Sequence, residues 1–150
     1  TVIRKLIANG DIKRTARLLD RPFFIDGKVI HGHARGAALG IRTANLATEN
    51  KCLPKDGVYA TLIRLGDKVL QGVTNIGFNP TFDDKVRSIE THIFDFSKSL
   101  YRKRLRLLFI DRLRDEKKFA YGSALVKQIK KDIVKSKQIL SNYLDNPVID

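Results

Sequence analysis

The chain has 150 residues, 43% of them hydrophobic, which is enough for one globular core, and one domain is the default at this length. Lysine and arginine number 29 against 16 acidic residues, a formal charge of +13 that favours an anionic partner: nucleic acid, a membrane surface or a phosphorylated small molecule. No run approaches the roughly 20 apolar residues of a membrane helix, no secretory signal opens the chain, Cys52 is the single cysteine and no Cys/His group has zinc spacing, so a cytoplasmic protein is expected.

The opening residues, TVIRKLIANGDIKRTARLLDRP, read as two short helices. Ile3, Leu6 and Ile7 form one apolar face, which Asn9-Gly10 ends; Asp11 can cap the second helix, whose face is Ile12, Ala16 and Leu19. Arg21-Pro22 breaks the pattern. The segment reads as a connector that follows an earlier module.

From Phe23 the pattern turns to strands. FFIDGKVI is a hairpin candidate around Asp26-Gly27, a dipeptide that tolerates positive φ. Residues 32–46 read GHARGAALGIRTANL. Glycines at 32, 36 and 40 let backbone N–H groups approach an anion, and Arg35 adds a planar charged fork. Thr43 and Asn45 offer hard oxygen ligands suited to Mg²⁺ on a nucleotide. The glycine spacing fits neither the Walker nor the dinucleotide pattern, so a phosphate site and a plain inter-strand loop both stand.

Residues 57–65 (GVYATLIRL) form a strand, Gly66-Asp67 turns it, and residues 68–76 return. A loop with Pro80 follows, NIGFNPTF, which could contact a base edge or a flavin ring or be an ordinary turn. Residues 88–96 (SIETHIFDF) are a strand that puts Ser88, Glu90, His92 and Phe94 on one face and Ile89, Thr91 and Ile93 on the other. Glu90 could take a proton from a substrate hydroxyl, or simply face solvent. Residues 105–113 are another strand, and RLRDEKKF after it is either a flap or a polar connection. Five or six short strands with hairpin signals argue for an antiparallel barrel or sandwich. The chain closes on one helix over about residues 123–144, with Leu125, Ile129, Ile133, Leu140 and Leu144 on its packed face and Lys127, Lys130, Lys131, Lys135 and Lys137 mainly in water.

The motifs gain weight from their order: the glycine loop with T-A-N, then N-I-G-x-x-P-T-F, E-T-H-I-x-D-F, L-Y-x-x-x-L-x-L-x-F, and L-R-D-E-x-x-F before a helix. In that order they resemble the riboflavin kinase module at the C-terminal end of bacterial bifunctional FAD synthetases, over about residues 21–140. The resemblance implies a mainly β fold: a six-stranded antiparallel Greek-key barrel with a long C-terminal α-helix, residues 22–150, behind a short helical N-terminal connector, residues 1–21. It implies transfer of the γ-phosphoryl of ATP to the 5′-hydroxyl of riboflavin, giving FMN, with Mg²⁺ and ATP as partners and no membrane. Thr43 and Asn45 match the residues that hold the Mg²⁺–ATP phosphates. Gly32, Arg35 and Gly36 match the phosphate loop, with Asn75 and Gly77 assigned to the nucleotide as well. Glu90 matches the general base. Thr81, Arg114 and Phe119 are assigned to the flavin, Arg114 in a loop that closes over it. The opening residues look like the tail of an FMN adenylyltransferase module, with Thr1 and Arg4 matching its phosphate-holding Ser/Thr-x-x-Arg; the rest of that module is not here, so this chain alone is not expected to make FAD.

Four positions depart from the family pattern. Arg42 replaces the proline of Pro-Thr-Ala-Asn, Ala34 stands for a loop glycine, Arg102 for a glycine after Tyr101, and Ser99 for an aspartate. Arg42 gives up the fixed φ of proline and adds a charge that could touch phosphate. Two alternatives remain: a basic β-barrel that binds nucleic acid, against which the placement of the aromatics in apolar strand patterns argues, and a flavin-binding module with weak or no catalysis.

Overall fold

The structure is a computed structural model that describes residues 1–31, 41–78, 87–120 and 122–143. Two helices, α1 (Val2–Ala8) and α2 (Ile12–Leu19), lead into six strands: β1 (Phe23–Ile30), β2 (Ala44–Ala47), β3 (Gly57–Leu65), β4 (Lys68–Phe78), β5 (Arg87–Ile93) and β6 (Arg104–Arg114). A long helix, α3 (Gly122–Leu140), follows and runs into a 3₁₀ turn, Ser141–Tyr143.

The strands close into a barrel in the order β1-β2-β5-β4-β3-β6, with every pair antiparallel. β3, β4 and β5 form a meander, and β6 returns to lie beside β3, which is the Greek-key arrangement. Closure leaves no open sheet edge among the described strands.

Alternation sorts the side chains into two cores. Ile25, Tyr59, Ile63, Ile76, Ile89 and Phe109 fill the barrel. Val58, Leu62, Val73 and Leu108 face outward and are covered by α3 through Leu140. β3 is therefore buried on both faces over its first seven residues. Inside the barrel, the hydroxyls of Thr61, Thr74 and Thr91 run across β3, β4 and β5 as a hydrogen-bonded chain, 2.8 and 2.9 Å apart, so their burial leaves each one partnered.

The helical start follows the sequence. Asp11 caps α2 by accepting from the Arg14 N–H, and Gly10, at φ +78°, makes the corner after α1. Ile7 and Ile12 point into the barrel core.

The Asp26-Gly27 hairpin does not form: residues 23–30 are one strand, paired with β6 along its first six residues. Asp26 faces out and its carboxylate takes two hydrogen bonds from Arg106 on β6. Gly27 serves close approach instead of a turn, because a Cβ there would lie 2.6 Å from Leu46 Cγ. The sixth strand is β2, inside the stretch read as loop. β5 ends at Ile93, since Asp95, at φ 54°, turns the chain.

α3 also differs from its expected face. Its fully buried stripe is Asp132, Ser136 and Leu140, with Leu125, Ile129 and Ile133 only half-buried; Leu144 lies outside the described residues. The polar stripe exists because Asp132 meets an arginine of β6. Arg102 sits at φ 71°, in the left-handed region that suits glycine, and Ser99 Oγ accepts from the Tyr101 N–H, so both departures are turn variants.

Candidate active site

The barrel register brings four of the expected residues into one row. Asn45 on β2 pairs with Glu90 on β5, and Glu90 pairs with Asn75 on β4. The row continues through Val58 on β3 to Arg114 on β6. Paired residues carry their side chains on the same face with Cβ atoms about 5 Å apart. Ile89 and Ile76 point into the barrel, so Glu90 and Asn75 point out of it. One carboxylate thus stands between two amides. Asn75 Oδ1 is buried and has no hydrogen-bond partner among the described residues, an acceptor that a bound donor would satisfy.

Thr43 immediately precedes β2, two residues from Asn45. Both line a cavity of about 440 Å³ at the end of the barrel, with Arg42, Thr91, His31 and Tyr101 among its other walls. The His31 and Tyr101 rings stack at 3.8 Å between centroids. Two bonds fix the approach to Thr43: Arg42 Nη1 donates to the Ser97 carbonyl at 2.8 Å, and His92 Nδ1 bonds the Arg42 carbonyl at 2.7 Å.

No group of three or more His, Cys, Asp or Glu side chains could hold a metal among the described residues. The donors present are a threonine hydroxyl and asparagine amides, with Glu90 as the nearby carboxylate. That set fits a Mg²⁺ ion carried mostly by nucleotide phosphates and water, because this ion dehydrates reluctantly and takes few protein ligands.

The segment after β6 is tied at its root. Arg114 donates to both carboxylate oxygens of Asp132, at 2.8–3.2 Å, and to the Asp115 carbonyl. Gln128 adds a hydrogen bond to Asp132, which is 5% exposed. Arg112 donates to Asp115 and to the Asp56 carbonyl. Its hydrogen bond and charge hold the Asp115 carboxyl below the ordinary carboxylate range. Burial pushes the Tyr59 hydroxyl up; that group donates to the Lys55 carbonyl. Beyond this root, the Glu116 carboxylate lies directly over Gly77, and Phe119 is half-buried.

Thr43, Asn45, Glu90, Asn75 and Gly77 therefore gather on neighbouring strands, while Arg114 ends β6 two strands from Asn75 with its guanidinium held by α3. Gly32, Arg35, Gly36, Ala34 and Thr81 lie outside the described residues. Sequence reasoning missed Asp132. Gln128, Asp132 and Ser136 recur every four residues, a polar stripe along a helix otherwise read for its leucines and isoleucines, and that was the available signal.

A family model described as Flavokinase, riboflavin kinase, matches residues 19–140. The chain is 39% identical over 148 residues to the bifunctional riboflavin kinase/FMN adenylyltransferase of Bacillus subtilis (strain 168), covering 96% of this chain and 46% of that protein. A Streptococcus pneumoniae structure described as a macrolide-efflux protein is similar at a TM-score of 0.85 and 34% identity, over 90% of this chain and 45% of that one. The riboflavin kinase of Trypanosoma brucei shares the fold at a TM-score of 0.58 and 22% identity, over 80% of each chain. The chain spans about half the length of the curated relatives it matches. No helix among the described residues is long and apolar enough to cross a membrane. With the family pattern running from the last residue of α2 to the last residue of α3, the chain belongs to the riboflavin kinase family.

Proposed function

We propose that the chain phosphorylates riboflavin, moving the γ-phosphoryl of ATP to the ribityl 5′-hydroxyl and releasing FMN and ADP. The observation that carries this reading is the row Asn45, Glu90, Asn75, with Thr43 at its edge. Phosphoryl transfer asks a protein for positioning and charge neutralisation more than for covalent chemistry. Glu90 accepts the proton of the 5′-hydroxyl as its oxygen attacks the γ-phosphorus and the bond to the β-phosphate oxygen breaks. Thr43 and Asn45 hold the phosphate end of the nucleotide, and Gly32, Arg35 and Gly36 are assigned to its phosphates. Asn75 and Gly77, on β4, bind the nucleotide as well. Thr81, Arg114 and Phe119 attend the flavin. Mg²⁺, when bound, neutralises the phosphate oxygens and is held by Thr43 and Asn45.

Residues 1–21 serve as a connector and residues 22–150 as the kinase domain, in a cytoplasmic enzyme. The relatives' names carry a second activity, FMN adenylyl transfer, and we assign this chain only the kinase step, with native fusion to an N-terminal adenylyltransferase module.

Incubation with riboflavin, ATP and Mg²⁺, followed by chromatography with fluorescence detection, tests the reading. FMN should form and FAD should not. Flavin binding without FMN at saturating substrates would replace the kinase with a binding module, and tight, steeply salt-dependent RNA or DNA binding in its place would favour the nucleic-acid reading.

A further inference from the structure

Thr43 holds phosphate in the proposed site, yet it lies outside the strand ladder. β2 begins at Ala44, and its pairing to β5 consists of Ala44 with Thr91 and Asn45 with Glu90. Its pairing to β1 reaches only Asn45. Among the described residues, no ladder pair fixes residues 41–43.

Two side chains act in its place. His92 lies two residues beyond Glu90 on the same strand and the same face. Its Nδ1 stands 2.7 Å from the Arg42 carbonyl oxygen. A carbonyl only accepts, so Nδ1 carries the proton and donates. That bond holds the peptide joining Arg42 to Thr43. The His92 ring is itself set edge-on against Phe94, at 5.9 Å between centroids, and Phe94 is buried beneath α3. From the other side, Arg42 Nη1 donates to the Ser97 carbonyl, in the connection between β5 and β6, at 2.8 Å. Residue 42 is thus gripped at its backbone and at its side-chain tip, both times by the chain that carries Glu90.

We propose that His92 and Arg42 are positioning residues for phosphoryl transfer, setting the distance between the phosphate-holding Thr43 and the base Glu90. Arg42 supplies through its side chain the stiffness that a proline ring would give at this position, and its charge is used on Ser97 instead of on phosphate. The proposal rests on the kinase reading above and makes the spacing between the two halves of the site depend on bonds to one peptide. Misplacement of a reacting group by about 1 Å can cost on the order of a hundredfold in rate.

The test uses His92→Leu, His92→Asn, Arg42→Ala and Arg42→Pro in the full chain, with melting curves to verify folding. An asparagine places its amide N–H close to where Nδ1 stood. His92→Leu and Arg42→Ala should lower kcat about tenfold to a hundredfold and raise KM for ATP, leaving KM for riboflavin within about twofold. His92→Asn and Arg42→Pro should recover most of the loss. A His92→Asn variant as poor as His92→Leu, a parallel rise in both KM values, or an Arg42→Pro variant no better than Arg42→Ala would overturn it, the last by showing that the charge itself is needed. Hydrogen exchange of the amides of residues 43–45 keeps the two readings apart. These amides should exchange faster in His92→Leu and at the wild-type rate in His92→Asn. Unchanged protection in His92→Leu removes the positioning role whatever the enzyme does; a wild-type protein that makes no FMN removes the kinase reading alone.

Discussion

Glu90 is placed by a register, so its role can be separated from its fold. It is half-buried, lies between Asn45 and Asn75, and sits on a strand whose other face is fully packed. Glu90→Gln keeps the shape and removes the proton acceptor. Turnover should fall about 10²-fold or more with ATP affinity retained, as read by steady-state FMN formation and by nucleotide titration; a near-wild-type rate would assign the proton to another group. Tyr59 gives a second residue-scale outcome, this time in stability. Burial raises its pKa above the ordinary value of about 10. Below that pH the folded and unfolded chains both keep the phenol proton. Above it the unfolded chain loses the proton first, so stability drops as pH rises until the folded group ionises too. Tyr59→Phe loses the hydrogen bond to Lys55, so its stability should be lower near neutrality, and its decline above about pH 10 shallower than wild type. Thermal melts from about pH 7 to pH 11 compare the two slopes.

At the scale of elements, the junction of β6 with α3 rests on an ion pair whose carboxylate is buried and whose arginine is partly exposed. Asp132 is a carboxylate on the packed side of a helix, and Arg114 with Gln128 satisfies it. Removing the carboxylate leaves a half-buried guanidinium without its main partner, and Asp132→Ala should cost about 1–3 kcal/mol. Replacing both, as Asp132→Leu with Arg114→Met, should recover much of that loss, because a well-packed apolar pair avoids desolvating two ions. Denaturant unfolding measures both variants, and a double variant no more stable than the single one would show that the hydrogen bond from Arg114 to the Asp115 carbonyl carries the rest of the loss. This junction explains what the sequence could and could not disclose. The turn at Gly66-Asp67, the cap at Asp11 and the alternation through Glu90 are local, and all were legible. The Asp132–Arg114 pair spans 18 positions, and the close contact of Gly27 with Leu46 spans another long separation. Neither is encoded in a local period. Asp26-Gly27 looked like a turn because the same two residues serve a salt bridge and a tight strand approach equally well.

For the whole molecule, barrel closure was carried by strand count and by motif order, while the row that joins Asn45, Glu90 and Asn75 required the register itself. Closure also sets how the N-terminal helices relate to the barrel. The sequence reads residues 1–21 as a connector, and composition alone would let them be removed. Ile7 and Ile12 nevertheless belong to the core inside the barrel, at 3% and 2% exposure, and the Lys55 N–H donates to the Ile7 carbonyl. The two N-terminal helices therefore cover apolar surface that the barrel would otherwise present to water. Burying two such side chains is worth about 3–6 kcal/mol at most. For a chain of this length each kcal/mol moves the melting temperature by about 2–4 °C. A version beginning at Pro22 should melt on the order of 10 °C lower than the full chain and should bind more of a dye that reports exposed apolar surface. The row Asn45, Glu90, Asn75 is untouched by the cut, so under the proposed function it should still make FMN at temperatures well below its melting point. An unchanged melting temperature would mean that the barrel closes its own end without the helices.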